Sequence, residues 1–208
     1  MAPRLGLLGG TYDPPHVGHL IVAQDVCEEL DLDRLLIVPA GSPPHRETVF
    51  PSTVRLQLVE LAFGSNPRFE VSRVELERSG PSFTVDTLRW IRRTLAPGEL
   101  FCVIGADQLR VIDTWSRYRE IAQLARLTVM AREGEAPSAG SVDLPFETVA
   151  VTRVDVAAST IRKRLREGRS IRYLVPESIR ARVETEWQRT AAAAAAGRPA
   201  SAAERNAK

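Results

Sequence analysis

The chain of 208 residues contains two cysteines, three histidines and no apolar run of the roughly 20 residues that a membrane helix requires. Cys27 and Cys102 stand far apart and form no paired motif, which favours two structural thiols in a reducing compartment. The first ten residues lack the long apolar stretch of a secretory signal. The sequence therefore predicts a cytoplasmic protein with no membrane segment.

No strong excess of one charge is present, since 28 Lys and Arg stand against 26 Asp and Glu. The distribution is uneven: residues 1–150 have a net charge of −5 and residues 151–208 of +7. A basic region can contact nucleic acid or a polyphosphate. However, no aromatic residues are interleaved with these charges as on an RNA-stacking surface. We expect a mostly solvated face and no nucleic-acid partner.

Short apolar segments alternate with segments of helical periodicity. The predicted strands are 4–9, 34–39, 69–72, 100–106, 127–131 and 147–152, and the predicted helices are 17–30, 53–62, 84–95, 159–167 and a last one beginning at Pro176. In the second helix the spacing places Val54, Leu58 and Leu61 on one side, and Ser52 is the predicted N-cap.

Continuous apolar strands separated by helices indicate an α/β fold in which helices cover both faces of a parallel sheet. We predict a doubly wound, Rossmann-like sheet with a small C-terminal helical part. Residues 1–190 form one predicted domain, and the Ala-rich segment 191–208 is a predicted disordered tail. Ligands of such sheets bind at the carboxyl ends of the strands, and Gly9, His45, Asp107 and Arg132 each follow a predicted strand.

The segment LLGGTYDPPHVGHL, residues 7–20, leads from a strand into a helix through two glycines. Gly9 and Gly10 let the backbone approach a bulky ligand, and the helix N-terminus offers N–H groups to an anion. His16 and His19 are three residues apart, so both can face that ligand and donate to polyphosphate oxygens. The segment contains neither a P-loop nor a G-x-G-x-x-G motif.

Two alternatives for this segment stay open. The histidines can be half-buried helix residues that only pack. Alternatively, Asp13, His16 and His19 can bind a metal ion. Because these are only three ligands of mixed type, a metal site is the weaker of the two chemical interpretations.

The segment resembles the nucleotidyltransferases that share an H-x-G-H motif, and within them the chain is similar to the bacterial nicotinate mononucleotide adenylyltransferases. Further landmarks occur in that family's order: PPHR (43–46), GPSFTVDTL (80–88), FCVIGADQL (101–109), Trp115 and STIRKRL (159–165). The resemblance covers about residues 4–187. It implies transfer of an adenylyl group from ATP to nicotinate mononucleotide in NAD biosynthesis, with Mg²⁺ accompanying ATP and no covalent enzyme intermediate.

The resemblance also implies roles for individual residues. Catalysis would rest on His16, His19 and Arg162. ATP would be bound by Gly9, Gly10, Thr11, His16, His19, Gly105, Asp107, Ser159, Ile161 and Arg162. Nicotinate mononucleotide would be bound by Thr11, Tyr12, His45, Arg46, Ser82, Thr84, Trp115 and Arg132. Ordinary alternatives exist: Ser82, Thr84 and Asp107 can be helix caps, and Trp115 can be a core residue.

Two stretches depart from the family pattern. The family's R-P-G is Arg132-Glu133-Gly134 here, and its S-[ST]-T-x-I-R is the segment AASTIR, 157–162. Ala157 therefore lacks a hydroxyl that would contact the triphosphate. Ser159 as N-cap and Arg162 in the first turn still predict an anion site.

Three other functions remain as alternatives. A phosphopantetheine adenylyltransferase has a similar first motif, and a nucleotide-binding regulator without turnover would be compatible with Ala157. The third alternative, a nucleic-acid-binding module, is supported only by the basic charge of the C-terminal part. The sequence is compatible with a homo-oligomer.

Overall fold

The computed structural model describes residues 3–44, 47–131, 137 and 143–196. Within these ranges one sheet contains the strands β1 (Arg4–Gly10), β2 (Arg34–Pro39), β3 (Phe69–Val71), β4 (Glu99–Gly105), β5 (Arg126–Ala131) and β6 (Glu147–Ala150). All neighbouring strands are parallel and follow the order β3-β2-β1-β4-β5-β6. The predicted doubly wound α/β class is confirmed.

Helices connect the strands and cover both faces of the sheet. They are α1 (Val17–Glu29), α2 (Ser52–Phe63), α3 (Val74–Glu77), α4 (Thr84–Thr94), α5 (Ala106–Leu109), α6 (Tyr118–Leu124), α7 (Ala158–Arg166) and α8 (Glu177–Ala196), with a 3-10 turn at Ile112–Thr114. None of these helices has the length and apolar character needed to cross a membrane. Helix α8 continues six residues into the segment predicted as a tail, and residues 197–208 lie outside the described residues.

The core has two halves because the central strands are buried on both faces. Leu8 of β1 packs into the half formed with α1, α2, α7 and α8, whereas Leu7 packs into the half formed with α4 and α6. The two cysteines belong to different halves, Cys27 to the first and Cys102 to the second, and both are buried free thiols. This agrees with the prediction of two structural thiols.

Helix α2 buries a different side from the one that its apolar spacing predicts. Its buried residues are Arg55, Leu58, Val59, Ala62 and Phe63, while Leu61 is 53% exposed. The side that carries Val54, Leu58 and Leu61 is therefore not the side that is fully buried. The buried side includes the charged residue Arg55, which lies one turn before Leu58 and Val59. Its guanidinium donates to three backbone carbonyls, which are described below.

The order of the strands creates a crevice beside β1. Connections from β1 lead through α1 to β2 on one side, and the chain later crosses to β4 on the other side of β1. At such a switch point the loops after the two central strands diverge and leave a gap between them. The loops that follow Gly10 and Gly105 therefore define the position of the candidate site.

Candidate active site

A cleft of about 740 Å³ opens at the carboxyl ends of β1 and β4. Its lining combines thirteen of the residues that the sequence singles out: Gly9, Gly10, Thr11, Tyr12, His16, His19, Ser82, Thr84, Gly105, Asp107, Trp115, Ser159 and Arg162. These residues come from five separate stretches of the chain. Their assembly around one opening is a property of the fold that no single motif predicts.

Four other candidates are not part of the described lining. Ile161 is fully buried in the core, and its backbone N–H donates to the carbonyl oxygen of Ala157 at 3.2 Å. His45, Arg46 and Arg132 lie outside the described residues. Their roles stay predictions.

His16 and His19 form a compact pair at the start of α1. His16 is the N-cap residue, and its backbone N–H donates to Nδ1 of His19 at 3.1 Å. The two rings stack with their centroids 3.6 Å apart and 26° between their planes. Because Nδ1 of His19 accepts a hydrogen bond, the proton of this neutral ring must be on Nε2, which makes Nε2 a donor.

Burial decides the charge of both rings. It lowers the pKa of His16 to about 4, and burial together with the neighbouring His16 lowers the pKa of His19 to about 3. Both imidazoles are therefore neutral at pH 7. Nδ1 of His16 is buried and has no hydrogen-bond partner among the described residues, so it is available to a bound ligand or to water.

Small residues make room for this pair. A Cβ on Gly18 would lie 3.1 Å from Nδ1 of His16, and a Cβ on Gly10 would lie 2.9 Å from the ring of Tyr12. The Tyr12 hydroxyl donates to the carbonyl oxygen of Leu8 at 3.0 Å, and its ring meets His19 edge-on with centroids 4.9 Å apart. Tyr12 therefore packs against the ring of His19 and also lines the cleft.

Gly9 differs from Gly10 because the protein itself leaves space at this position. A Cβ on Gly9 would meet no described atom within 4 Å. Gly9 lies at the end of the central strand and lines the cleft. The open space therefore belongs to the cleft, where a ligand can come close to the backbone.

At the end of β4, Gly105 and Asp107 are closely coupled. A Cβ on Gly105 would lie 2.5 Å from Oδ1 of Asp107, so a glycine allows the carboxylate to fold back over the strand end. Gly105 is the N-cap of α5 and Asp107 is in its first turn. The alternative role of Asp107 as an N-cap is therefore wrong. Its carboxylate is exposed at the cleft and accepts a bond from the Gln108 amide at 2.9 Å.

Arg162 connects the C-terminal motif with the first motif. Its Nη1 donates to the carbonyl oxygen of Asp13 at 2.5 Å and lies 3.6 Å from Oδ2 of the same residue. The Asp13 carboxylate is itself occupied, since it accepts the backbone N–H groups of Val49 and Phe50 at 2.8 and 2.9 Å. Asp13 is therefore a structural residue, and the described residues contain no group of three His, Cys, Asp or Glu side chains placed to hold a metal ion.

Helix α7 directs its N-terminus at the cleft without a capping side chain. Its N-cap is Ala157, and no side-chain bond caps it. The prediction of Ser159 as N-cap is wrong, because Ser159 lies in the first turn of the helix. Ala157, Ala158 and Ser159 all line the cleft, so the free N–H groups of this helix end are open to an anion.

The lining of the cleft also contains Ser82 from the loop before α4, Thr84 at the start of α4, and Trp115 directly after the 3-10 turn. Oγ of Ser82 accepts the backbone N–H groups of Gly41 and Ser42 at 3.0 and 3.1 Å. Neither Ser82 nor Thr84 caps α4, whose N-cap is Phe83 without a side-chain bond, so the capping alternative is wrong. Trp115 is half-buried and has both positions: it packs against the half of the core that contains Leu7, as the alternative of a core residue predicts, and it also lines the cleft.

The family is shown by comparison with known proteins. A family model described as cytidylyltransferase-like matches residues 7–164. A protein of Thermus thermophilus named "Probable nicotinate-nucleotide adenylyltransferase" is 44% identical over 185 residues, which cover 87% of this chain and 96% of that protein. The chain belongs to this adenylyltransferase family. A relative of the same name from Exiguobacterium sibiricum is 40% identical over 191 residues, covering 88% and 97% of the two chains.

Solved structures of other adenylyltransferases have the same fold. The nicotinic acid mononucleotide adenylyltransferase of Plasmodium falciparum, complexed with NaAD, superposes with a TM-score of 0.70 at 12% identity. The match covers 90% of this chain and 95% of that one. At this identity the likeness concerns the fold, which is that of the adenylyltransferase family.

Sequence reasoning missed three charged groups at the site of this family member, of which Asp13 and Arg55 are buried and Glu75 is half-buried. They are Asp13 as a structural acceptor, Arg55 and Glu75, which lines the cleft. One signal could have revealed Arg55: it stands three and four residues before the buried Leu58 and Val59, and is therefore in phase with them. Glu75 offers no comparable signal, because α3 is too short for a periodic pattern.

Proposed function

We propose that the chain joins ATP to nicotinate mononucleotide and forms nicotinate adenine dinucleotide and pyrophosphate, a reaction of NAD biosynthesis. One observation carries the proposal: the paired His16 and His19, Arg162 and Trp115 line a single cleft. The 44% identity to a named nicotinate-nucleotide adenylyltransferase supports the same reaction. A cleft of about 740 Å³ also lies in the size range of nucleotide-sized ligands.

The reaction is an in-line displacement at phosphorus. A phosphate oxygen of the mononucleotide bonds to the α-phosphorus of ATP, and the bond from that phosphorus to the oxygen shared with the β-phosphorus breaks. Pyrophosphate leaves with the electron pair. The attacking phosphate is already ionised at neutral pH, so the enzyme needs to supply position and charge stabilisation but no general base.

The properties of the side chains suit this chemistry. With pKa values of about 4 and 3, His16 and His19 are weak bases at pH 7 and serve as neutral hydrogen-bond donors. Burial raises the pKa of both thiols, that of Cys102 to about 12, which makes them poor nucleophiles. Direct transfer without a covalent intermediate is the mechanism that these groups favour.

On the ATP side, the triphosphate would lie over Gly9 and against the N-termini of α1 and α7. His19 would then donate a hydrogen bond to the leaving pyrophosphate, and the Arg162 cation would neutralise part of the charge that develops on it. The exposed Asp107 carboxylate at the end of β4 is suited to accept hydrogen bonds from the ATP ribose. Gly10, Thr11 and Ser159 complete this side of the cleft.

The mononucleotide would bind against the opposite wall. Trp115 offers a ring face on which the pyridine can stack, and Thr84 and Ser82 offer polar groups nearby. For His45, Arg46 and Arg132, contact with the mononucleotide stays a prediction.

Magnesium fits this site as a companion of ATP. Both carboxylate oxygens of Asp13 already accept backbone N–H bonds, and the described residues offer no cluster of ligands. The donor set therefore suits a cation held by triphosphate oxygens and water, which would lower the negative charge of the triphosphate.

Other properties remain predictions beside this function. They are a cytoplasmic location, a single domain over residues 1–190, self-association, and the lack of a nucleic-acid or membrane partner.

The decisive experiment measures pyrophosphate release from ATP and Mg²⁺ with nicotinate mononucleotide, nicotinamide mononucleotide or phosphopantetheine. We expect rapid release with nicotinate mononucleotide. Release only with phosphopantetheine would assign the chain to the other adenylyltransferase. ATP binding without release from any of the three would favour a regulator and contradict the proposal.

A further inference from the structure

Arg55 is a buried cation that holds three separate backbone segments together. It is 1% exposed. Its Nη1 donates to the carbonyl oxygen of Thr11 at 2.7 Å, Nη2 to that of Gly41 at 3.1 Å, and Nε to that of Phe50 at 3.2 Å. The guanidinium has the rigid fork of donors that such a three-way contact requires, and lysine lacks it.

Two of these contacts, to Gly41 and Phe50, are at the two ends of the sequence segment 41–50, of which the structure describes residues 41–44 and 47–50. Further hydrogen bonds hold the same two ends. The N–H groups of Gly41 and Ser42 donate to Ser82, and those of Val49 and Phe50 donate to Asp13. Each end of the segment is thus held in two ways: its N–H groups donate to Ser82 or Asp13, and one of its carbonyl groups accepts a bond from Arg55. The third carbonyl, on Thr11, belongs to the loop after β1.

At the start of the segment, the backbone of Gly41 is in close contact with the backbone of α3. A Cβ on Gly41 would lie 2.2 Å from the backbone oxygen of Glu75. Glu75 is half-buried, and its Oε1 accepts a bond from the Thr87 hydroxyl at 2.7 Å. The charges of Asp13 and Glu75 both favour the charged form of Arg55, which counters the lowering of its pKa by burial.

Pro43, Pro44 and Glu47 of the fastened segment line the cleft, whereas Arg55 does not. We infer that Arg55 is a positioning residue, which sets the part of the cleft wall formed by Pro43, Pro44 and Glu47 relative to the loop that contains Thr11. On the proposed function, on which this inference rests, that wall faces the mononucleotide, while Gly105, Asp107 and Arg162 face ATP. Loosening the wall therefore impairs binding of the mononucleotide more than binding of ATP.

The test compares Arg55→Lys with wild type well below the unfolding temperature of either. We expect the KM for nicotinate mononucleotide to rise about tenfold or more and the KM for ATP to change less than about threefold, because small misplacements in a site are costly. Hydrogen exchange in the peptide that covers residues 41–50 should become faster, since four of its N–H groups depend on the fastened ends.

Arg92→Lys is the matched control. Arg92 is half-buried and, like Arg55, donates to backbone carbonyls, those of Leu124 at 2.7 Å and Pro97 at 3.1 Å, but it lies outside the cleft lining. This variant should lose stability without a change in either KM. If Arg55→Lys behaves in the same way, with both KM values and the exchange of residues 41–50 unchanged, the inference is wrong.

Gly41→Ala provides a second route if Arg55→Lys fails to fold. The added methyl group displaces the start of the segment from Glu75 while Arg55 stays intact, so the same selective rise in KM is expected. Unchanged KM values in this variant would also overturn the inference. If the wild type does not use nicotinate mononucleotide, the proposed function fails, and the exchange of residues 41–50, which needs no substrate, still tests whether Arg55 fastens the segment.

Discussion

The ring of His16 stacks on the ring of His19 at a centroid distance of 3.6 Å, although both are basic side chains. Such close stacking is compatible with two neutral rings, because two imidazolium charges at this distance would repel each other strongly. The pKa values of about 4 and 3 agree with this geometry. The pair therefore acts through directed N–H groups and not through a positive charge, which leaves Arg162 as the cation of the catalytic set.

Replacing His19 by alanine should reduce kcat by about 10²- to 10³-fold, as expected when one donor to the developing charge is removed. The measurement is pyrophosphate release at saturating ATP and nicotinate mononucleotide. Circular dichroism and thermal unfolding of His19→Ala should report a folded protein. Turnover within threefold of wild type would refute the role of His19.

The histidine pair should also make the protein less stable in acid. In the unfolded chain each imidazole binds a proton below about pH 6.5, whereas in the folded protein it stays neutral to about pH 4 or 3. The unfolded state thus binds more protons in this window, so stability falls as the pH is lowered through it. Each ring adds a slope approaching about 1.4 kcal/mol per pH unit.

Urea unfolding of wild type and His19→Asn between pH 7 and pH 5 measures this slope. The variant should lose less stability than the wild type over the interval, because one depressed pKa is gone. Equal slopes in the two proteins would mean that His19 is protonated in the folded state, contrary to its burial.

Gly9 and Gly10 should respond differently to alanine, although they are neighbours. Gly9→Ala meets open space, so we expect unchanged or slightly higher stability, by up to about 1 kcal/mol. Its kcat/KM should nevertheless fall about tenfold or more, because the methyl group occupies the space of the ligand. Gly10→Ala should lose stability, since its methyl group collides with Tyr12.

Thermal unfolding and steady-state kinetics of both variants separate these expectations. Full activity of Gly9→Ala would show that no part of the substrate passes close to the end of β1. In that case the open space beside Gly9 would have no role in binding.

The fold was predictable because each strand carries its own local signal. The apolar run of β4, predicted at 100–106, is observed at Glu99–Gly105, and β2 begins and ends as predicted. Short elements such as α3 and α5 were not predicted, because four residues are too few for a periodic pattern. Their positions depend on tertiary contacts that the local sequence does not contain.

The residues of the site that belong to motifs were predictable, but the residues that position them were not. The histidine motif and Arg162 are recognisable by residue type and spacing, whereas Arg55 acts through three carbonyl groups that are distant in sequence. Caps were predicted one or two residues too late, at Ser52 and Ser159, where the structure has Pro51 and Ala157. A serine beside a helix start suggests a cap, but the turn of the backbone decides where the helix begins.

The N-cap of α7 offers a last prediction, because Ala157 has no side chain that can accept an N–H bond. Ala157→Ser should supply that acceptor and raise the free energy of unfolding by about 0.5–2 kcal/mol. Ser159→Ala is the control, since Ser159 lies in the first turn and does not cap, so its replacement should change stability little. Urea unfolding measures both. An unchanged stability of Ala157→Ser would indicate that water already satisfies this helix end, and the same N–H groups would then be less available to the triphosphate.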